Sequence, residues 1–188
     1  MRQYKCLKKQ EYTLNEYKIL PIRSNDRYEL MKWRNEQLYH LRQSKLLDKQ
    51  TQDTYFDNVI SKLFQKDYPD QILFSYLEDE FCIGYGGLVH INWADKNAEI
   101  SFLMNTELEN DFFEIHWKIF LKLIEQVAFE DLNLHKIFTY AFDLRPKLYN
   151  VLEEENYTLE ARLKEHSIFN NNYIDILIHS KVNGRNNY

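Results

Sequence analysis

The stretch "CIGYGGLVHINWADKNAEISFLMN", residues 82–105, holds three of the four glycines of this chain. Two largely apolar runs flank the polar residues "ADKN", which predicts two antiparallel strands joined by a short turn. Glycine inside a strand marks a bulge or the close approach of another backbone or of a ligand. The spacing of "GYGG" does not fit a nucleotide-binding loop. The segment therefore predicts a hairpin within a sheet, with a special backbone feature at its glycines.

Helical and strand patterns surround this hairpin on both sides. Strands are predicted at residues 17–23, 71–77 and 135–142, and a closing hairpin turns at residues 170–172. Helices are predicted over residues 26–33, 51–64, 113–128 and 145–155, the last with Pro146 in its first turn. The pattern is α/β (α+β), with a mixed central sheet of about seven strands flanked by four helices. Because no repeat or linker interrupts it, we expect a single domain over residues 1–188.

Composition excludes several classes of partner. The net charge is -5, and the basic residues are scattered, so we expect no nucleic acid. The chain opens on polar sequence without an apolar leader and carries two cysteines, which indicates a cytoplasmic protein with no membrane attachment. Its six histidines show no ligand spacing, so we expect no metal.

Polar side chains interrupt the predicted hairpin at four positions. If the turn centres on residues 95 and 96, His90 lies opposite Ser101 and Asn92 lies opposite Glu99, and strand alternation then places all four on one face. A polar row in the centre of a sheet must be hydrogen-bonded internally or must line a cleft. The two interpretations are a half-exposed edge and a functional cleft.

The order of elements resembles the GNAT superfamily of acetyl-CoA-dependent N-acetyltransferases over almost the whole chain. Local matches are "IGYGGL", "NAEISFLMN", "LNLHKIFTYAFD" and "RPKLYNVLEEENY". The closing stretch "ARLKEHSIFNNNYIDILIHS" is similar to the branch that contains ribosomal-protein N-terminal acetyltransferases and amino-sugar-nucleotide N-acetyltransferases. The segment "MKWRNEQ" looks most like the sugar-nucleotide members.

The resemblance implies acetyl-CoA as the acetyl donor. Its pantetheine arm would enter between two splayed strands and pair with the backbone of Phe102, Leu103 and Met104. Its pyrophosphate would lie on a loop at residues 110–115, before a helix, with Arg145 across the cleft. That stretch contains no glycine and several carboxylates, and an Asp111 and Glu114 pair is expected to cap the helix.

The resemblance also implies a base and an acid for acetyl transfer. Glu99 is the first choice for the general base and His90 the second, since the ordinary pKa of histidine is close to neutrality. Tyr149 is the candidate general acid. The structural alternatives are a cross-strand partner of Asn92 for Glu99, a buried core histidine for His90, and a packing role for Tyr149.

The acceptor site is expected near "MKWRNEQ". There Arg34 would contact a phosphate, Trp33 would support a ring, and Asn35 and Asn92 would complete the site. The favoured acceptor is a small-molecule amine, an amino-sugar nucleotide of surface-polysaccharide synthesis. The alternatives are a peptide or ribosomal-protein N-terminus, or a non-catalytic GNAT-fold module that only binds. The oligomeric state is left open.

Overall fold

A computed structural model describes residues 2–43 and 45–184, and eight strands form one sheet there. The strands are β1 (Tyr12–Leu14), β2 (Tyr17–Pro21), β3 (Ile72–Glu78), β4 (Phe81–Asn92), β5 (Asn97–Met104), β6 (Lys136–Phe142), β7 (Thr158–Phe169) and β8 (Asn172–Val182). The order across the sheet is β1-β2-β3-β4-β5-β6-β8-β7. The mixed sheet is confirmed, and it contains one strand more than expected because β1 is only three residues long and carries too short an alternation to be recognised.

Four helices accompany the sheet. They are α1 (Arg27–Glu36), α2 (Lys49–Tyr55, continued by Phe56–Ile60 and Ser61–Leu63), α3 (Thr106–Glu125, continued by Gln126–Asp131) and α4 (Pro146–Glu154). The two faces of the sheet are covered by different helices. Tyr85 of β4 reaches Arg34 of α1. On the other face, Phe102 of β5 stacks on Phe120 of α3 with ring centroids 4.0 Å apart.

The start predicted for α3 was wrong. The apolar stripe begins at Phe113, but the helix begins at Thr106, directly after β5. The Asn105 side chain caps it by accepting from the Glu107 amide, and Glu107 and Glu109 place negative charge in its first turn, where the helix dipole favours it. The predicted capping pair, Asp111 and Glu114, lies within the helix instead.

The predicted register of the β4 and β5 hairpin was also wrong. Val89 lies opposite Glu99 and Gly87 opposite Ser101, while His90 has no partner because the register shifts between Val89 and Asn92. His90 has a φ of 50°, in the left-handed region. A bulge of this kind turns a side chain away from its regular face. His90 therefore reaches Glu99 through the bulge and not through simple alternation.

Two of the glycines in β4 allow neighbouring strands to approach. A Cβ atom at Gly86 would lie 2.2 Å from the Ser101 carbonyl oxygen of β5. At Gly87, where φ is 156°, it would lie 1.9 Å from the Ile72 carbonyl oxygen of β3. Both distances are well inside van der Waals contact. The glycines are therefore required by the packing of the central strands.

The sheet opens between its two parallel strands. β5 pairs with β6 over three residues only: Asn97–Glu99 of β5 lie opposite Lys136–Phe138 of β6. Beyond these residues β5 follows β4, while β6 follows β8 through Phe142. The facing edges of β5 and β6 then diverge and leave a gap, as the resemblance implies. This gap determines where the site lies.

Candidate active site

A cavity of about 500 Å³ lies where β5 and β6 diverge. Its walls come from these two strands, from β4 and α1, and from the segment that follows α1. The residues used below that line it are Arg34, His40, Arg42, Tyr85, His90, Glu99, Thr139, Tyr140 and Arg145. Ser101 and Phe102 of β5 also line it. The cavity therefore brings predicted donor, acceptor and catalytic positions to one place.

Glu99 lies at the centre of a small ionic group. Its side chain is 7% exposed, and one carboxylate oxygen is 2.8 Å from His90 Nδ1. The other oxygen accepts a hydrogen bond from the Arg42 guanidinium. The Arg42 guanidinium also lies 4.9 Å from the centre of the Tyr140 ring on β6. Arg42 thus bridges the gap between the two diverging strands.

Arg34 points from α1 into the same cavity. Its Nη1 donates to the Tyr85 hydroxyl at 2.6 Å, and its Nε donates to Gln43 Oε1 at 2.8 Å. Both partners are neutral groups. The structure therefore places Arg34, which was predicted to contact a phosphate, at the cavity wall. No carboxylate among the described residues is bound to its guanidinium.

Arg145 precedes α4 and closes the far end of the cavity. Its guanidinium pairs with Glu109 of α3 and lies 4.7 Å from the centre of the Phe113 ring. It also donates to His40 Nδ1 at 3.1 Å. Burial and the charge of Arg145 lower the pKa of His40 to about 3. His40 is therefore a neutral acceptor, and Arg145 is engaged on several sides.

Tyr149 does not line the cavity. Its hydroxyl donates to the Phe142 carbonyl oxygen at 2.8 Å, and its ring stacks on His179 with centroids 5.5 Å apart. Burial raises its pKa to about 12. A role as general acid stays a prediction, and it requires the hydroxyl to leave this carbonyl.

Three residues that were predicted to bind the acceptor substrate lie outside the cavity. Trp33 is 3% exposed and belongs to the hydrophobic core. The Asn35 side chain bonds both backbone groups of Leu47 and so holds the segment after α1. Asn92 bonds Asp95 in the hairpin turn. Their roles in binding an acceptor stay predictions, and none of the three borders the cavity.

The segment that was expected to form the pyrophosphate loop belongs to a helix. Residues 110–115 lie inside α3, and only Asn105 separates the end of β5 from the start of that helix. Of the three residues on β5 that were predicted to bind the donor, Phe102 borders the cavity, while the Met104 carbonyl oxygen accepts from Gln37 Nε2 at 2.8 Å. Leu103 is buried between them.

Sequence reasoning missed Arg42 and Thr139. Arg42 lies in an irregular segment with no pattern that could indicate its position. Thr139 gives a usable signal, because it is a polar residue within the apolar strand "KIFTYAF". It is 3% exposed, it lines the cavity, and its hydroxyl has no hydrogen-bond partner among the described residues.

The described residues hold neither a metal-binding cluster nor a membrane-spanning helix. No group of three or more His, Cys, Asp or Glu side chains in residues 2–43 and 45–184 could hold a metal ion. In the same part of the chain, no helix combines the length and the apolar character needed to cross a membrane.

Comparison with known proteins identifies the family. Residues 19–178 match the model of the acetyltransferase (GNAT) domain. The fold is similar to that of spermidine N-acetyltransferase from Vibrio cholerae in complex with CoA and spermine, with a TM-score of 0.79 and 17% identity over 90% of this chain and 97% of that one.

A dodecameric structure of the Vibrio cholerae enzyme in an intermediate state has a TM-score of 0.74 and 17% identity, over 92% of this chain and 96% of that one. At these identities the likeness shows the fold alone, while the family match covers most of the chain and agrees with the open sheet. The chain therefore belongs to the acetyltransferase (GNAT) domain family and is an acetyl-CoA-dependent N-acetyltransferase.

Proposed function

We propose that this enzyme acetylates the primary amine of an anionic acceptor, with an amino-sugar nucleotide as the favoured acceptor. Acetyl-CoA supplies the acetyl group as a thioester, so transfer forms a C–N bond, breaks the C–S bond and releases CoA as the thiol. The ammonium of the acceptor must first lose a proton. Glu99 is the proposed acceptor of that proton, because it is the carboxylate at the point where β5 and β6 diverge.

The gap between β5 and β6 fits the arm of the donor. Beyond Glu99 the facing edges of these strands are not paired with one another. An extended arm with amide groups binds such an edge as an added strand does. Thr139 belongs to the same wall, and its buried hydroxyl has no hydrogen-bond partner among the described residues. We propose that Ser101 and Phe102 border the arm and that it ends near Glu99.

The charge of the cavity wall carries the choice of acceptor. Its described lining residues include three arginines, Arg34, Arg42 and Arg145, and a single carboxylate, Glu99. Arg145 is paired with Glu109 and Arg42 with Glu99. Arg34 bonds no carboxylate among the described residues, so a polyamine or a basic peptide tail would meet its positive charge here. An acceptor with a phosphate or carboxylate is favoured, since a guanidinium binds such groups in a bidentate manner.

Arg42 and Glu99 together suggest where the acceptor amine binds. In the structure, the Arg42 guanidinium bonds Glu99 and lies over the Tyr140 ring. A carboxylate beside an aromatic face is also a suitable site for an ammonium group. We propose that the acceptor amine replaces Arg42 at Glu99, and that Arg34, with its neutral partners, receives the acceptor's anionic group.

A mass-shift screen tests the proposed function. The enzyme is incubated with acetyl-CoA and a panel of amino-sugar nucleotides, short peptides and spermidine, and each acceptor is examined for a gain of one acetyl group. Acetylation of an amino-sugar nucleotide is expected. If peptides or spermidine were acetylated and the amino-sugar nucleotides were not, the proposal of an anionic acceptor would be overturned. Absence of any product with every acceptor of the panel would overturn the proposed function.

Substitution of Arg34 tests its role in recognising the acceptor. Because an ammonium replaces a bidentate guanidinium poorly, Arg34→Lys should raise the KM of the acceptor about tenfold and leave the KM of acetyl-CoA unchanged. Arg27→Lys is the matched control, since Arg27 lies on the same helix and pairs with Asp53 outside the cavity. Equal effects of the two substitutions would argue against an anion site at Arg34.

A further inference from the structure

The connection between β5 and α3 leaves no room for an anion-binding loop. β5 ends at Met104 and α3 begins at Thr106. Gln37 crosses this junction, donating to the Met104 carbonyl oxygen at 2.8 Å and to the Thr106 hydroxyl at 3.0 Å. The same hydroxyl donates to Glu36 at 2.6 Å. The junction is thus held by α1 in a fixed arrangement.

The first amides of α3 already have partners. Asn105 accepts from Glu107 N through its side chain at 3.1 Å, and its carbonyl oxygen accepts from Leu108 N at 3.0 Å and from Glu109 N at 3.2 Å. A helix N-terminus binds phosphate through free amides. These three amides are not free, because Asn105 satisfies them within the chain.

The charges at this end also oppose a diphosphate. A second cavity of about 420 Å³ lies beside the start of α3, and its charged lining residues are Glu36, Glu109, Arg145 and Lys147. The two cations are balanced by two carboxylates. Arg145 is also paired with Glu109 and packed on Phe113. The site therefore lacks the excess positive charge that a diphosphate requires.

The gap between β5 and β6, in contrast, offers a polar group that can bind the donor. Thr139 lines the main cavity and is 3% exposed. Its hydroxyl has no hydrogen-bond partner among the described residues. Buried hydroxyls are normally paired, since an unpaired one is destabilising. The donor's arm carries amide groups that can pair with this hydroxyl.

We propose that this enzyme recognises its acetyl donor by the pantetheine arm, with the Thr139 hydroxyl bonding an amide of that arm, and that the nucleotide end of CoA contributes little to binding. The proposal rests on the proposed function, because it assigns the recognition of the donor within the same site. It implies that acetyl thioesters of pantetheine without a nucleotide are also donors.

Calorimetric titration of the full chain tests the role of the nucleotide end. Acetyl-CoA and S-acetylpantetheine should bind with dissociation constants within about threefold of one another, and adenosine 3′,5′-bisphosphate should not displace either. Lys147→Ala should leave both affinities unchanged, because Lys147 borders only the second cavity. Acetyl-CoA binding more than tenfold tighter than S-acetylpantetheine, or displacement by the bisphosphate, would overturn the proposal.

A matched pair of substitutions tests Thr139. Thr139→Val keeps the shape and removes the hydroxyl, so it should weaken S-acetylpantetheine binding about five- to thirtyfold, the range expected for one hydrogen bond. Thr139→Ser keeps the hydroxyl and should bind within about twofold of the natural chain. Because the hydroxyl has no partner among the described residues, Thr139→Val should not lower the melting temperature. If Thr139→Val bound S-acetylpantetheine as tightly as the natural chain does, the assignment would be contradicted.

The two proposals fail in distinguishable ways. If acetyl-CoA binds through its nucleotide end and an amine is acetylated, only the proposal on donor recognition is wrong. If neither thioester binds and no acceptor is acetylated, the proposed function is wrong as well.

Discussion

At the scale of single residues, the position of Glu99 depends on groups from three parts of the chain. His90 reaches it from the bulge in β4, and Arg42 reaches it from the segment after α1. The carboxylate is therefore fixed in orientation while its side chain is almost fully buried. A fixed, desolvated carboxylate at the proposed end of the donor's arm is suited to accept a proton from a bound ammonium.

Glu99→Gln should lower kcat by about two to four powers of ten, because the amide keeps the shape of the side chain but cannot take up the proton. Binding of S-acetylpantetheine, measured by calorimetry, should stay nearly intact. Glu154→Gln serves as the control, since Glu154 pairs with Lys118 outside the cavity. An unchanged rate would exclude Glu99 as the base and make His90→Ala the next test.

At the scale of elements, the β4 and β5 hairpin sets the geometry of the site. The glycines let β4 approach both neighbours, and the bulge at His90 then turns that side chain toward Glu99. On its other edge β5 separates from β6 after Glu99. Close pairing on one side and divergence on the other produce the cavity.

Gly86→Ala should lower the free energy of unfolding by about 2 to 3 kcal/mol, as expected when an atom is forced into a packed region. The added Cβ would lie 2.2 Å from the Ser101 carbonyl oxygen and 2.7 Å from Phe120 Cζ, so β5 would have to move. Urea denaturation measures the loss. Gly184→Ala is the control, since nothing lies within 4 Å of its added Cβ, and equal stability of the two variants would contradict the packing argument.

At the scale of the whole molecule, buried histidines make stability depend on pH. Burial lowers the pKa of His40, His116 and His179 below the ordinary value of 6.5. The unfolded chain therefore takes up protons at these positions at a higher pH than the folded chain. It follows that the full stability is present above pH 6.5, the ordinary pKa of histidine, and is progressively lost as the pH falls below that value.

The free energy of unfolding should be nearly constant from pH 8 to pH 7 and should fall between about pH 6.5 and pH 5, by at most about 1.4 kcal/mol per pH unit for each histidine. His179→Phe should reduce the slope, because phenylalanine preserves the stacking on Tyr149 and removes two ring nitrogens that have no hydrogen-bond partner among the described residues. Urea denaturation at several pH values measures this effect. A variant stabilised equally at pH 5 and pH 8 would show that His179 does not contribute.

Local patterns in the sequence predicted several elements correctly. The last helix was expected over residues 145–155 and is found at Pro146–Glu154, because Pro146 and the apolar spacing act within one element. The turn expected at residues 170–172 joins β7 and β8, and it too is determined by residues that are close together in the sequence. By resemblance, the divergence of β5 and β6 was also expected.

The sequence by itself determined most of the elements and the family, and it made Glu99, His90 and Arg34 candidate site residues. Only the tertiary structure decided the register of the central hairpin, since a single bulged residue changes which side chains are opposite. It also placed Arg42 on Glu99 and left the Thr139 hydroxyl without a partner in the part of the chain that the structure describes. These contacts join residues far apart in the chain, and no local periodicity or propensity encodes them.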